Sequence, residues 1–390
     1  MNRAFHLRRG VGGALTAGAA GLLAVATLTA AGASAGAATH HSSSARAACP
    51  SQVRAPARVG HISGVLPPAV SKAGCKVHHA NDPANGTPPL RFHGGKVMGT
   101  KRTGPVVVTP IFWNPAGHPM AAAYKKIIKT YLRDVASASR QHTNVFSTLG
   151  EYFGVNGNIR YRVRFGAPVN DTNPLPADGC KVARMDTANI YADNSGYNAC
   201  LDDDQVIAET DSVVTAQGLP SDFGHIYVLF LPKHVESCIF AGSTTTAKNF
   251  CTINYQPSST YCAYHSQAPS GTIYANMPFP IYASAVGFTC SSEARFPTTQ
   301  APNGNLNADT EISPTSHEIM EAITDPDTST GWYDSSGFEN GDECAYVYGS
   351  ASGLPGQLYN QTINGHHYLT QEEFSNIDFH YTGGGCLQAE

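Results

Sequence analysis

The chain has 390 residues, of which 42% are hydrophobic and only 14% are charged, and its formal net charge is −4. This balance carries no basic excess, so we expect no nucleic-acid partner. Gly and Pro number 38 and 25, a composition typical of a loop-rich exported protein.

The amino terminus predicts export. Three arginines precede an uncharged run from Gly10 to Ala38 that is rich in Ala, Gly, Leu and Val. We therefore interpret residues 1–37 as a signal peptide with small-residue cleavage sites near its end. The alternative is a retained membrane anchor, although Ala and Gly make this run only weakly apolar. No later stretch is long and apolar enough to span a bilayer, so we expect a secreted or cell-wall-associated protein.

All ten cysteines follow the signal segment, and an even number in an exported chain indicates disulfides. The connectivity cannot be deduced from sequence. The simplest pairing joins neighbours along the chain: Cys49–Cys75, Cys180–Cys200, Cys238–Cys251, Cys262–Cys290 and Cys344–Cys386.

The remaining organisation is a flexible leader followed by one folded domain. Residues 38–89 are rich in Ala, Ser, His and Pro without periodicity, which is typical of a low-complexity leader. Residues 90–390 form the domain. Hydrophobic patterns predict strands at Pro105–Trp113, Asn158–Phe165 and Ile226–Leu231, and helices at Met120–Ser139 and Asp203–Gln217. Because strands and helices alternate, the predicted fold class is α/β.

A further helix is predicted from Ser313 to Asp325. Ser313 can cap its start with Pro314 at the first helical position, and Asp325-Pro326 ends it. Its two faces separate by chemistry: one carries His317, Glu318, Glu321, Thr324 and Asp325, and the other is apolar. From residue 296 onward the chain has 14 acids and no Lys or Arg. Carboxylates gathered without cations favour a bound metal ion; the alternative is a solvated acidic surface.

The predicted metal ligands are His317, Glu321, Glu339 and Asp342. His317 and Glu321 lie one helical turn apart on the same face, and Glu339 follows 18 residues later. Glu318 lies where zinc peptidases carry their general base, although the pattern is HExxE rather than HExxH. A site of one imidazole and several carboxylates suits Zn²⁺ first, and Ca²⁺ or Mn²⁺ as alternatives. The alternative for Glu339 and Asp342 is a polar turn at Asn340-Gly341.

The motif Ser316-His317-Glu318-x-x-Glu321, then Pro326, Trp332-Tyr333 and Glu339-x-Gly341-Asp342-x-Cys344, resembles the EXORDIUM and phosphate-induced protein family of plants and its secreted bacterial relatives. Looser similarity extends from about Pro105 to the end. The resemblance implies an extracellular, wall-associated protein with a zincin-like core and a central mixed sheet. For plant members it implies growth regulation rather than a defined reaction.

Two functions follow from these patterns. The first is a secreted, zinc-type metallohydrolase that acts on extracellular protein or wall peptide, with Glu318 activating water. The alternative is a non-enzymatic wall or signalling protein with a structural metal site. Two minor hypotheses remain open, namely oxyanion donors among Tyr333, His265, His366 and His367, and a glycosidase pair among Asp325, Asp327, Asp334 and Glu339. The sequence leaves the substrate, the enzymatic activity and the oligomeric state undecided.

Overall fold

The structure, a computed structural model, describes residues 88–176, 199–239, 251–252, 261–280, 290–379 and 384–390. The predicted signal peptide (1–37) and all but the last two residues of the predicted leader (38–89) lie outside these ranges. Those two boundaries therefore stay predictions. Regular structure within the described residues starts at Arg91, close to the predicted start of the domain at residue 90.

The helices and strands are as follows. The helices are α1 (Ala122–Ser137), α2 (Asp203–Ala216) and α3 (Leu306–Thr324), with 3₁₀ turns at Val145–Glu151, Ser292–Ala294 and Asp342–Cys344. The strands are β1 (Arg91–Phe92), β2 (Val106–Trp113), β3 (Phe153–Gly154), β4 (Gly157–Asn158), β5 (Val163–Phe165), β6 (Val169–Asp171), β7 (Ala199–Asp202), β8 (His225–Phe230), β9 (Val235–Cys238), β10 (Tyr264–Gln267), β11 (Ile273–Met277), β12 (Trp332–Tyr333), β13 (Gln361–Ile363), β14 (His366–Tyr368), β15 (Glu373–Phe374) and β16 (Cys386–Leu387).

A mixed sheet organises the domain. Its strand order is β10-β11-β8-β2-β5, and β6 also pairs with β2. Only the β10–β11 pair is antiparallel among these strands. Pro110 lies in β2 where the strand changes partner from β5 to β6, so the missing N–H of proline interrupts no ladder on that side.

The sheet carries helices on both faces, which gives three layers. Alternate residues of β8 divide between two apolar clusters: Ile226, Val228 and Phe230 pack in one, and Tyr227 and Leu229 in the other. The first cluster includes residues of α1 and α3, and the second includes residues of α2. This alternation is what a strand with period-two geometry produces when both its faces are buried. The predicted α/β class with a central mixed sheet is confirmed.

Most of the predicted elements before residue 240 are confirmed, including the central position of β8. One is wrong: Asn158–Phe165 is not a continuous strand, because β4 ends at Asn158 and β5 begins at Val163. The backbone N–H groups of Ile159 and Arg160 donate instead to the carbonyls of Tyr152 and Gly99. An alternating pattern does not reveal that the backbone bonds leave the sheet.

The predicted end of α3 is confirmed and its predicted start is wrong. The helix ends at Thr324, but it begins at Leu306 rather than after Ser313. Asn305 caps it by accepting a hydrogen bond from the N–H of Ala308 at 3.0 Å. The Ser313 hydroxyl instead accepts from the N–H of Gln371, and Pro314 lies inside the helix. Burial of residues 308–324 offsets the helical bond that proline lacks.

Three predicted disulfides are confirmed: Cys238–Cys251, Cys262–Cys290 and Cys344–Cys386. The predicted pairs Cys49–Cys75 and Cys180–Cys200 involve cysteines outside the described residues. Within the part of the chain that the structure describes, no helix combines the length and the apolar character needed to cross a membrane.

Candidate metal centre

Helix α3 packs on one face of the sheet, and every residue from Ala308 to Thr324 is buried. It packs against α1 on one side and against β10 and β11 of the sheet on another. The acidic face of the helix is therefore enclosed, and the alternative of a solvated polar surface is wrong. Buried charges require partners, so the contacts of this face decide its chemistry.

His317 and Glu321 meet Asp342 from the loop that follows β12. The Nε2 atom of His317 lies 2.9 Å from Oε1 of Glu321 and 3.6 Å from Oδ1 of Asp342. The backbone N–H of Asp342 donates to the same Oε1 of Glu321 at 3.0 Å. The structure thus brings together three of the four residues predicted as metal ligands.

The loop reaches this position because Gly341 has no side chain. A Cβ atom there would lie 2.7 Å from Nδ1 of His317 and 2.9 Å from Oε1 of Glu321, both shorter than real Cβ contacts. Glycine is needed here for close approach rather than for an unusual backbone angle, since its φ is −74°. The Asn340-Gly341 turn therefore does not compete with a site at Asp342, because it is what places Asp342.

A second group forms around His265 of β10. Its Nδ1 atom lies 3.3 Å from Oε2 of Glu318 and 3.6 Å from Oε2 of Glu321. Its Nε2 atom lies 3.7 Å from Oε2 of Glu339 and 3.1 Å from the carbonyl oxygen of Asp325. The predicted ligand Glu339 thus faces His265. Glu321 belongs to both groups.

Buried polar contacts hold the loop under the helix. Asn340 accepts from the hydroxyl of Thr324 at 2.9 Å and donates to Glu373 at 3.3 Å. The side chain of Gln371 donates to the carbonyl of Gly341 at 2.7 Å. The Cys344–Cys386 disulfide ties the end of this loop to β16. The positions of Glu339 and Asp342 are therefore fixed from several directions.

The charges of the cluster shift the pKa values of its members. Burial lowers the pKa of His317, but Glu321, Asp342 and Glu318 outweigh it and hold that pKa well above its usual range. Burial likewise lowers the pKa of His265, but Glu318 and Glu321 outweigh it and raise that pKa to about 10. Burial raises the pKa of Glu318, and burial with the charge of Glu321 raises that of Asp342 to about 8. The two imidazoles outweigh burial at Glu321 and lower its pKa to about 2. The carboxylates of the cluster therefore favour positive charge at both imidazoles.

The residues present fit a divalent cation. Among the described residues, neither ring nitrogen of His317 has a hydrogen bond of acceptable geometry, despite the short distance from Nε2 to Oε1 of Glu321, and Oε2 of Glu321 also has none. Two ligands that share one zinc ion, each about 2.0–2.2 Å from it, lie roughly 3–3.5 Å apart. The observed separations of 2.9 and 3.6 Å are close to that range. His317, Glu321 and Asp342 are the residues that would hold the ion.

The other residues considered from the sequence have different contacts. His366 pairs with Asp134 at 2.7 Å, and the ring of His367 stacks on that of Tyr359. The candidate glycosidase carboxylates other than Glu339 accept backbone N–H bonds in turns: Asp325 from Gly331, Asp327 from Thr330 and Asp334 from Ser336. These bonds account for the three aspartates as turn-stabilising groups.

The chain is similar to Protein EXORDIUM-like 3 of Arabidopsis thaliana, with 22% identity over 327 residues that cover 76% of this chain and 84% of the relative. No protein-family model matches the chain. No solved structure matches it either, so the zincin-like assignment has no structural neighbour to support it. The similarity supports the resemblance to the EXORDIUM family that the motif between Ser316 and Cys344 indicated. The similarity indicates neither a bound metal nor a catalysed reaction, since the name of the relative states neither.

Sequence reasoning singled out His265 only as a possible oxyanion donor, and it missed its contact with Glu318 and Glu321. Glu318 lies 53 positions further along the chain. The one available signal was that Cys262-Ala263-Tyr264-His265 lies within the range of looser similarity to the EXORDIUM family, which assigns His265 no role. A short strand that carries one histidine offers no spacing from which a ligand role can be deduced.

Proposed function

We propose that this chain is a non-enzymatic extracellular protein in which a buried divalent ion, Zn²⁺ first, joins α3 to the loop that carries Asp342. The observation that supports this most directly is burial: His317, Glu318, Glu321 and Glu339 each have 0% of their surface exposed. Structural metal sites are closed, whereas catalytic sites keep a position open for water and substrate. The imidazole favours Zn²⁺ over Ca²⁺, which takes oxygen ligands.

The three disulfides of the described residues and the similarity to an EXORDIUM-like protein support an extracellular setting. A cell-wall or matrix association, which the family resemblance implies, is part of the proposal. In such a protein the metal supplies positive charge that the acidic segment after residue 295 does not contain. Its effect is to hold together elements that repel one another as carboxylates.

The metallohydrolase reading stays the second candidate, and the position of Glu318 favours it. Glu318 directly follows His317 and lies at the cluster, and burial raises its pKa, which moves a carboxylate toward the range that suits a general base. A bound metal would supply Lewis-acid activation of a substrate carbonyl or of water. Within that reading the zincin-like fold and a peptide substrate are both proposals.

The test combines metal content, stability and turnover on the full secreted chain. We expect stoichiometric zinc in the purified protein, a lower Tm after chelation, and recovery of that Tm when Zn²⁺ is restored. For an ion present at a thousandfold its Kd, binding contributes about 4 kcal/mol to the free energy of unfolding. His317→Ala should lose the metal, whereas His225→Ala, which removes a half-buried histidine paired with Asp222, should keep it.

Peptide and glycan panels then separate the two candidates. We expect no turnover by the zinc-loaded protein. Turnover that disappears in Glu318→Gln, with metal retained, would replace the structural site by the hydrolase. The matched control is Glu209→Gln on α2, on the opposite face of the sheet from α3. A protein that holds no metal and is indifferent to chelation would overturn both candidates.

A further inference from the structure

The geometry points to a second divalent ion beside the first, held by His265, Glu318 and Glu321, with Glu321 bridging the two. This inference rests on the proposed structural metal site, which provides the first ion. The two groups of candidate ligands share Glu321 and no other residue: His317, Glu321 and Asp342 form one, and His265, Glu318 and Glu321 form the other. In each group the ligand atoms all lie within 4.8 Å of one another.

The orientation of the His265 ring gives the first argument. Its Nε2 atom lies 3.1 Å from the carbonyl oxygen of Asp325, which can only accept, so this nitrogen carries the hydrogen. A histidine that ligates a metal commonly donates its other N–H to such a carbonyl, which fixes the tautomer. The Nδ1 atom of His265 then faces carboxylate oxygens of Glu318 and Glu321 at 3.3 and 3.6 Å. This is the position in which a ligating nitrogen and its carboxylate neighbours would share a divalent ion, and a proton on Nδ1 is the competing occupant.

The two oxygens of Glu321 give the second argument. Oε1 lies 2.9 Å from Nε2 of His317, and Oε2 lies 3.6 Å from Nδ1 of His265. Oε2 is buried and has no hydrogen bond to any residue that the structure describes. One carboxylate whose oxygens face two different imidazoles has the arrangement of a bridging ligand in a two-metal site.

A second ion also explains Glu318 without catalysis. A purely structural site has no use for a general base beside His317, but Glu318 as a ligand links α3 to β10. The first ion joins α3 to the loop of Asp342, and the second joins α3 to the edge strand of the sheet. The competing explanation is a single ion with His265 as a protonated partner of Glu318. The two explanations differ by one metal per chain.

The deciding measurement is the number of ions per chain in the full-length secreted protein, obtained by elemental analysis after loading with Zn²⁺ and removal of loosely held metal. We expect two zinc ions per chain. A second, independent readout is the electron paramagnetic resonance spectrum of the Mn²⁺-loaded protein, because two bridged Mn²⁺ ions couple magnetically and one isolated ion gives a simple six-line signal.

Variants assign the ions. His265→Asn should reduce the content from two ions to one and convert the coupled Mn²⁺ spectrum to the six-line form. His225→Asn should leave both readouts unchanged. One ion per chain in the wild type, with an uncoupled spectrum, overturns the second ion and leaves the structural site standing. No bound metal overturns both. If His265→Asn fails to fold, the wild-type stoichiometry and spectrum still decide.

Discussion

Gly341→Ala tests how closely the loop must approach α3. The added Cβ would lie 2.7 Å from Nδ1 and 2.8 Å from Cγ of His317, whereas ordinary Cβ contacts begin at 3.4 Å, so the imidazole or the loop must move by about 0.7 Å. Overpacking of a buried contact typically costs about 1–3 kcal/mol. We expect the free energy of unfolding to fall by about 2 kcal/mol, since disulfide Cys344–Cys386 and the bond from Gln371 hold the loop against retreat.

The same movement should weaken the proposed metal site. Metal–ligand distances tolerate only about 0.2 Å of error, and changes in groups that orient a ligand typically reduce metal affinity about 10–100-fold. Urea unfolding and zinc titration of the purified variant measure the two effects separately. Gly150→Ala is the matched control, because its Cβ would meet only Oε2 of Glu390 at 3.7 Å. If Gly341→Ala unfolds at the wild-type urea concentration and binds zinc as tightly, the reasoning about close approach is refuted.

Three further predictions concern the rest of the domain. Replacing both Cys344 and Cys386 by Ala should lower the free energy of unfolding by about 4 kcal/mol, and replacing both Cys238 and Cys251 should lower it by about 3 kcal/mol. The first loss is larger because that disulfide closes a longer loop, with a sequence separation of 42 against 13. Urea denaturation that finds the reverse order would contradict the loop-entropy argument. Asp134→Ala should lower the free energy of unfolding by about 2 kcal/mol, since it leaves the buried hydroxyl of Tyr368 without its acceptor, and Asp134→Asn should lower it less. Equal losses of the two variants in thermal unfolding would contradict this role of Asp134 as an acceptor. Burial raises the pKa of Glu372 to about 7, so the folded state binds more protons than the unfolded state and stability falls as pH rises from about 4.5 to 7. Glu372→Gln should flatten the stability profile in that window, and an unchanged slope would show that Glu372 does not titrate as inferred.

Local signals in the sequence determined much of the fold. Strand β2, helices α1 and α2, strand β8 and the end of α3 follow from hydrophobic period and from the residue before Pro326, because these depend on neighbours within one or two turns. The i, i+4 spacing of His317 and Glu321 also follows from helix geometry alone. The start of α3 did not, because the Ser313-Pro314 pair looks like a start signal, while the helix is capped eight residues earlier by Asn305. Burial of residues 308–324 decides that Pro314 is tolerated inside the helix, and a window of sequence does not reveal that burial.

The sequence by itself determined that His317, Glu318 and Glu321 share one face of a helix and that Glu339 and Asp342 follow in an acidic, cation-free segment. Only the tertiary structure decided that this face is closed to solvent, that Gly341 brings Asp342 against His317, and that His265 of β10 faces Glu318 and Glu321. The physical reason is the distance along the chain over which each signal acts. Helical spacing places side chains within a turn of one another, but which strand borders a helix follows from the packing of the whole sheet, and no spacing in the chain records it.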